Sequence, residues 1–162
     1  LLRLACGLSP LEEGEIYWQG QPVSQNNDEF RSNLAYLGHH LALKEDLTPL
    51  ENLLSHAAVA GRQLSLTDAM AALAQLGLRG REHLPVRVLS QGQKRRTALA
   101  RLVVSTAKLW ILDEPFVALD PAAQNALSEV INAHLSSQGM VLLTSHQAVS
   151  LAGQGRTYRL SA

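Results

Sequence analysis

The run Leu109-Trp110-Ile111-Leu112, followed at once by Asp113-Glu114-Pro115, constrains this chain more than any other segment. Four consecutive apolar residues without polar alternation leave no face for water. Such a run suits a central strand of a parallel sheet with helices on both faces. Met140-Val141-Leu142-Leu143 has the same character, and Ser145-His146 comes shortly after it. Parallel strands need a crossover between them, and the intervening stretch supplies one: Asp120-Pro121 caps a helix, and Gly139 ends it. Ligands of open parallel sheets sit beyond the carboxyl ends of the strands. Asp113, Glu114 and His146 lie at such ends and are expected to meet in one crevice.

The rest of the chain falls into two parts. Leu1-Leu2-Arg3-Leu4-Ala5-Cys6 carries a helical apolar stripe, with Gly7 as its carboxyl cap. Glu15-Ile16-Tyr17-Trp18 reads as a strand after the turn at Gly14, and Leu34-Ala35-Tyr36-Leu37 as another, running into the loop Gly38-His39-His40. Helical signals then take over. Thr48-Pro49-Leu50-Glu51 combines a cap, a first-turn proline and a glutamate three residues after the cap. Ser65-Leu66-Thr67-Asp68 starts a second helix that stops near Gly77, and Ser90 starts a third with Leu99, Leu102 and Val103 on its apolar face. From Lys108 onward the order is strand, helix, strand, helix, strand. The expected fold is one α/β domain over residues 1–162, its parallel-sheet core at 1–40 and 108–162 interrupted by a helical subdomain at 41–107.

Composition sets the boundaries of function. At 162 residues, 46% of them hydrophobic, the chain can bury a real core. Zero formal charge argues against bulk attraction to nucleic acid or anionic lipid, and no nucleic-acid partner is expected. The apolar runs are too short to span a bilayer, and no basic-then-apolar leader opens the chain, so a cytoplasmic location is expected. Cys6 has no second cysteine to pair with and reads as small apolar filler. His56, His83 and His134 read as ordinary surface or satisfied core residues.

The residues that carry chemistry cluster in three short motifs. Asp113 is placed to hold Mg²⁺, mostly through water, because that ion keeps much of its hydration shell. Glu114, one residue on, can turn its carboxylate toward an attacking water; phosphoryl transfer depends mainly on such positioning and on charge stabilisation. In Leu89-Ser90-Gln91-Gly92-Gln93, Ser90 and Gly92 sit at a helix start, where free amides and the helix dipole favour an anion. Gln93 adds a side-chain donor, and Lys94, Arg95 and Arg96 add positive charge. His146 can hydrogen-bond a γ-phosphate or the attacking water.

Taken together, these motifs resemble the ATP-binding cassette (ABC) superfamily, whose domains have a P-loop NTPase-like core. Leu89-Ser90-Gln91-Gly92-Gln93 is similar to the signature motif, with Gln91 where many members have glycine. Asp113 and Glu114 match the Walker B aspartate and the catalytic glutamate. Ala118-Leu119-Asp120 resembles the D-loop that faces an opposing subunit, and His146 the switch histidine. Tyr36-Leu37-Gly38-His39, Leu47-Thr48-Pro49-Leu50-Glu51-Asn52-Leu53, Trp18-Gln19-Gly20-Gln21-Pro22 and the segment 109–116 resemble most the haem-exporter ATPases of bacterial cytochrome c maturation. That resemblance implies ATP and Mg²⁺ as cofactors, and hydrolysis that drives transport. It also implies a second ATPase subunit in a homodimer, integral membrane exporter subunits as partners, and a peripheral place on the cytoplasmic side of the inner membrane.

Two departures accompany the resemblance. The Q-loop glutamine position falls on His39, with His40 beside it where that group has glutamine; imidazole makes fewer simultaneous contacts than an amide. The P-loop motif Gly-Lys-Ser/Thr is absent, since the three lysines follow Leu43, Gln93 and Ala107. The intact downstream motifs favour a chain whose amino-terminal strands and P-loop were lost. A non-catalytic regulatory subunit without ATP binding is one alternative. An ABC ATPase of another transporter is a second. An ABC protein of DNA repair or translation is a third, although no coiled-coil insertion, second cassette or basic extension appears.

Overall fold

The computed structural model describes residues 1–24, 27–146, 149, 151–153 and 155–158. The chain opens with a short helix, α1 (Leu2–Ala5), closed by Gly7 in the left-handed conformation. A two-residue hairpin follows, β1 (Tyr17–Trp18) against β2 (Gln21–Pro22). The strand expected from Glu15 thus begins two residues later. Then come α2 (Asn27–Ser32) and β3 (Leu34–Leu37). Trp18, Val23 and Phe30 form a small cluster that seats the hairpin beside the sheet, with Trp18 and Phe30 meeting edge to face at 5.8 Å.

Three longer helices follow before the sheet resumes: α3 (Pro49–Val59), α4 (Leu66–Gln75) and α5 (Gln91–Val103), the last entered through a 3₁₀ turn at Val86–Val88. Their starts are set by local chemistry. Thr48 and Glu51 form a reciprocal capping box, as do Ser90 and Gln93, and the Ser65 hydroxyl accepts from the Asp68 amide. α4 stops just before Gly77, as expected, and Gly77 takes a left-handed backbone.

The sheet is completed by β4 (Leu109–Asp113) and β5 (Met140–Thr144), joined by α6 (Pro121–Ser136). The order is β3-β4-β5, all parallel, with Leu34 opposite Leu109 and Asp113 opposite Thr144. One face of the sheet carries Leu37, Trp110 and Leu112 into the main core, against Leu99 of α5 and Leu127 and Ile131 of α6. The other face meets α1, where Leu2 and Cys6 pack on Ile111.

Three expectations are corrected here. β5 is an edge strand among the described residues and is not covered on both faces. α1 packs on Ile111 of β4, and Met140 and Leu142 of β5 stay exposed. The left-handed residue that ends α6 is Gln138 (φ 65°) rather than Gly139. Gly139 instead leaves room for the His134 ring, which a Cβ would meet at 2.3 Å. The helix and strand expected after His146 fall partly outside the described residues. The described residues from 149 to 158 form neither element.

Candidate functional site

The candidate site forms where β4 and β5 end side by side. The parallel register places Asp113 opposite Thr144, and the Thr144 hydroxyl donates to Asp113 Oδ1 at 2.8 Å. The same hydroxyl accepts the Glu114 N–H at 3.1 Å. Glu114 leaves the strand with a left-handed backbone, φ 48°. Its carboxylate receives the His146 N–H on Oε2 at 3.3 Å, and its Oε1 lies 3.5 Å from His146 Nε2. The imidazole is almost fully solvent-exposed at 93%, whereas Glu114 is 25% exposed. A half-sheltered carboxylate is therefore held against a histidine free to reach outward.

Asp113 fits a hard cation. Its carboxylate gives one acceptor site to Thr144 and keeps the others. Among the described residues no group of three or more histidine, cysteine, aspartate or glutamate side chains could hold a metal. An ion here would rest on Asp113, waters and substrate oxygens. Mg²⁺ tolerates that donor set because it binds through one or two carboxylates plus phosphates.

The start of α5 faces the solvent with Ser90 and Gln91 exposed. The capping box occupies the amides of Ser90 and Gln93: Ser90 N–H donates to Gln93 Oε1 at 2.9 Å, and Gln93 N–H donates to Ser90 Oγ at 3.2 Å. The amides of Gln91 and Gly92 have no intrahelical acceptor, as at any helix start. No acidic side chain occupies the first turn. Gly92 also faces the chain's own loop, since a Cβ there would lie 3.0 Å from the Ala118 carbonyl oxygen.

The three cations after Gln93 do not gather at this helix start as expected. Lys94 pairs with Glu45 at 2.7 Å, and Arg96 donates to the Gly77 carbonyl at 3.3 Å. Arg95 is buried and points along the helix side to the end of β4. It donates to the Asp113 carbonyl oxygen at 2.9 Å and also to the Glu114 carbonyl oxygen. Burial lowers the pKa of its guanidinium, opposed by the Asp113 and Glu114 charges.

His39 and His40 lie exposed in the loop after β3, their rings edge to face at 5.7 Å. His40, but not His39, lines a cavity of about 250 Å³ shared with Glu45, Gln91 and Lys94, which brings this loop beside the start of α5. Asp120 caps α6, accepting the Ala123 N–H on Oδ1 at 2.8 Å. The structure thus groups Asp113, Glu114 and His146 at one sheet end and Ser90, Gly92 and Gln93 at one helix start, with Asp120 further along the loop from β4.

Two residues of this constellation went unrecognised in the sequence. Thr144 is visible only once the register is known. Arg95 carried a signal of its own, because it shares the apolar stripe of α5 with Leu99 and Leu102 and was bound to point inward.

Comparison with known proteins gives a consistent result. The profile of the ABC transporter family matches residues 1–117. The chain is similar to the cytochrome c biogenesis ATP-binding export protein CcmA of Dechloromonas aromatica, 55% identical over 99% of this chain and 79% of that protein. The protein of the same name from Pseudomonas aeruginosa is 46% identical over the whole of this chain and 79% of its own length. Among solved structures, the ATP-binding subunit of an ABC transporter superimposes with a TM-score of 0.74 at 29% identity, over 90% of this chain and 62% of the other. A dimeric ATP-binding cassette in a post-hydrolysis state, bound to ADP and Pi, shares the fold with a TM-score of 0.76 at 23% identity, over 90% of this chain and 68% of that one.

Proposed function

Because the chain belongs to the ABC transporter family, we propose that it is the ATP-hydrolysing subunit of an exporter acting in cytochrome c biogenesis, with haem as the exported cargo. The export role is supported by the shared name of relatives such as that of D. aromatica, with 55% identity across nearly the entire chain. The hydrolytic role is supported by one observation above the others: Glu114 Oε1 lies 3.5 Å from His146 Nε2 at the end of β4, beside Asp113.

In this reading Glu114 orients the attacking water and accepts its proton, while His146 reaches out to the terminal phosphate or to that water. Asp113 holds Mg²⁺ through water, and the ion, when bound, neutralises charge on the phosphate oxygens. Ser90, Gly92 and Gln93 present the start of α5 to nucleotide carried by a second copy of the subunit, with Asp120 near the same interface. His40, on the cavity beside Gln91, takes the part of the Q-loop side chain, with His39 next to it. Residues 41–107 form the helical subdomain and residues 1–40 and 108–162 the core. No helix among the described residues is long and apolar enough to cross a membrane. In keeping with the export role in the relatives' name, integral membrane exporter subunits complete the transporter, and this subunit sits peripherally on the cytoplasmic side of the inner membrane.

Hydrolysis is measured after joining a Gly-Lys-Ser/Thr segment from an ATP-binding cassette ahead of Leu1. Glu114→Gln in that chain should still bind ATP and turn it over at least about 100-fold more slowly, since the amide keeps size but loses the basic oxygen. A rate within about threefold of the parent would exclude Glu114 as the hydrolytic group. Export is tested separately, by whether the joined chain restores cytochrome c maturation in a bacterium lacking its own export ATPase.

A further inference from the structure

The loop leaving β4 contains two non-glycine residues with left-handed backbone, Glu114 at φ 48° and Ala118 at φ 62°. L side chains avoid this region, and residues held there need surroundings that over-determine them. The first is braced from α5, and the second lies against the start of that helix. Arg95 donates to the carbonyl oxygens of Asp113 and Glu114, which belong to the peptide units on either side of the Glu114 Cα. One turn earlier, Gly92 leaves room for the Ala118 carbonyl oxygen, which a Cβ there would meet at 3.0 Å. The Thr144 hydroxyl holds the Glu114 N–H from the other side, and the Val117 N–H returns to the Glu114 carbonyl at 3.2 Å. Arg95 is buried and among the described residues its Nε has no hydrogen-bond partner, so a cation has been taken from water to meet two main-chain carbonyls beside the Asp113 and Glu114 charges. Burial of this kind is unfavourable and needs a structural return.

We propose that Arg95 is a positioning residue: it locks Glu114 in the left-handed conformation that turns its carboxylate to His146, and ties that conformation to the helix whose first turn carries Ser90 and Gly92. A shift of α5 then moves the Glu114 backbone directly. The hydrolytic consequence rests on the proposed role of Glu114; the lock itself does not.

Amide hydrogen exchange on the chain as it stands tests the lock. Both bonds run from a single guanidinium nitrogen, Nη2, and Arg95→Lys keeps the positive charge on a shorter side chain whose amine falls short of that position. The Glu114 and Val117 amides should exchange at least about tenfold faster, while Leu112 in β4 and Leu99 in α5 stay within about twofold. Glu114→Gly added to Arg95→Lys should return Val117 toward its original protection, because glycine takes a positive φ freely. Unchanged exchange at Glu114 and Val117, or uniform acceleration through β4 and α5, would overturn the proposal. Should Arg95→Lys fail to fold, Thr144→Val removes the opposite grip with almost no change in volume. Faster Val117 exchange is again expected, and unchanged exchange again counts against the lock. With the Gly-Lys-Ser/Thr segment joined, Arg95→Lys should lower kcat about 10- to 100-fold with KM within about threefold. An unchanged kcat in Arg95→Lys, beside an inactive Glu114→Gln, overturns the positioning role. An unchanged kcat in both overturns the reading of Glu114 instead.

Discussion

Cys6 packs with Leu2 against Ile111, and burial pushes its thiol up to about 11. Thiolate is the nucleophile, so little reactive sulfur exists near neutral pH while α1 stays packed. Alkylation by iodoacetamide at about pH 8 should run at least about 100-fold slower in the folded chain than in denaturant. Similar rates would mean that α1 is not seated. His134 offers a residue-scale effect of the opposite kind. Its ring stacks on Trp110 at 3.7 Å and 5°, and in the neutral form Nε2–H donates to the Lys108 carbonyl at 3.2 Å. Burial lowers its pKa below 6.5, against hydrogen bonds to the backbone that raise it. Between that lowered value and 6.5 the unfolded chain binds a proton that the folded chain does not. Stability is thus full above 6.5 and falls as pH drops toward the folded value. His134→Gln should flatten the fall in urea midpoint between about pH 7.5 and about pH 5.5, and an equally steep fall would discard His134 as a cause.

Element starts were the most legible part of this molecule, because cap chemistry is local. Thr48, Ser65, Ser90 and Asp120 all cap the helices expected of them, each accepting the amide three residues on. Ser90→Ala should therefore lower stability by about 1 kcal/mol in a urea titration, even without nucleotide. No loss would show that the capping box contributes nothing to α5. Strand β4 was legible for a related reason: Trp110, Ile111 and Leu112 are buried, as an unbroken apolar run requires. β5 carries a similar run yet leaves Met140 and Leu142 exposed, because coverage depends on which element packs there and not on the strand's own residues. Helix α2 escaped notice because its one buried side chain, Phe30, makes no stripe. In the site, the ends of the strands announced Asp113, Glu114 and His146. The grip on them went unread, since Thr144 acts across a register and Arg95 counted as positive charge for the start of α5 despite its place on the apolar stripe.

For the molecule as a whole, the proposed function makes the residues present here one part of a nucleotide site shared with a second copy. With no Gly-Lys-Ser/Thr among its residues, the chain lacks several charge-assisted phosphate contacts worth roughly 1.5–3 kcal/mol each. Loss of two or three removes ~5–8 of the ~8 kcal/mol behind micromolar affinity, so calorimetry on this chain alone should find ATP binding near millimolar or weaker. Micromolar binding would contradict this account. Assembly is tested best at Gln91, since any side chain at Gly92 would strike the chain's own Ala118 carbonyl. Gln91 is exposed on the first turn of α5. A carboxylate there suits the helix dipole but repels phosphate. In the joined chain carrying Glu114→Gln, Gln91→Glu should leave the thermal midpoint equal or higher while abolishing the ATP-dependent dimer in sedimentation. A dimer of unchanged strength would remove the contact in trans. The order of the sheet also bears on time. β3 must wait for β4, and all of α3, α4 and α5 is synthesised between them. Helices built on local contacts form early, whereas parallel pairing across so long a span comes late. While the chain is still emerging from the ribosome, contacts among α3, α4 and α5 can already form, although their core is completed only by β4 and α6. The carboxylate and its histidine come together only when β5 is laid beside β4.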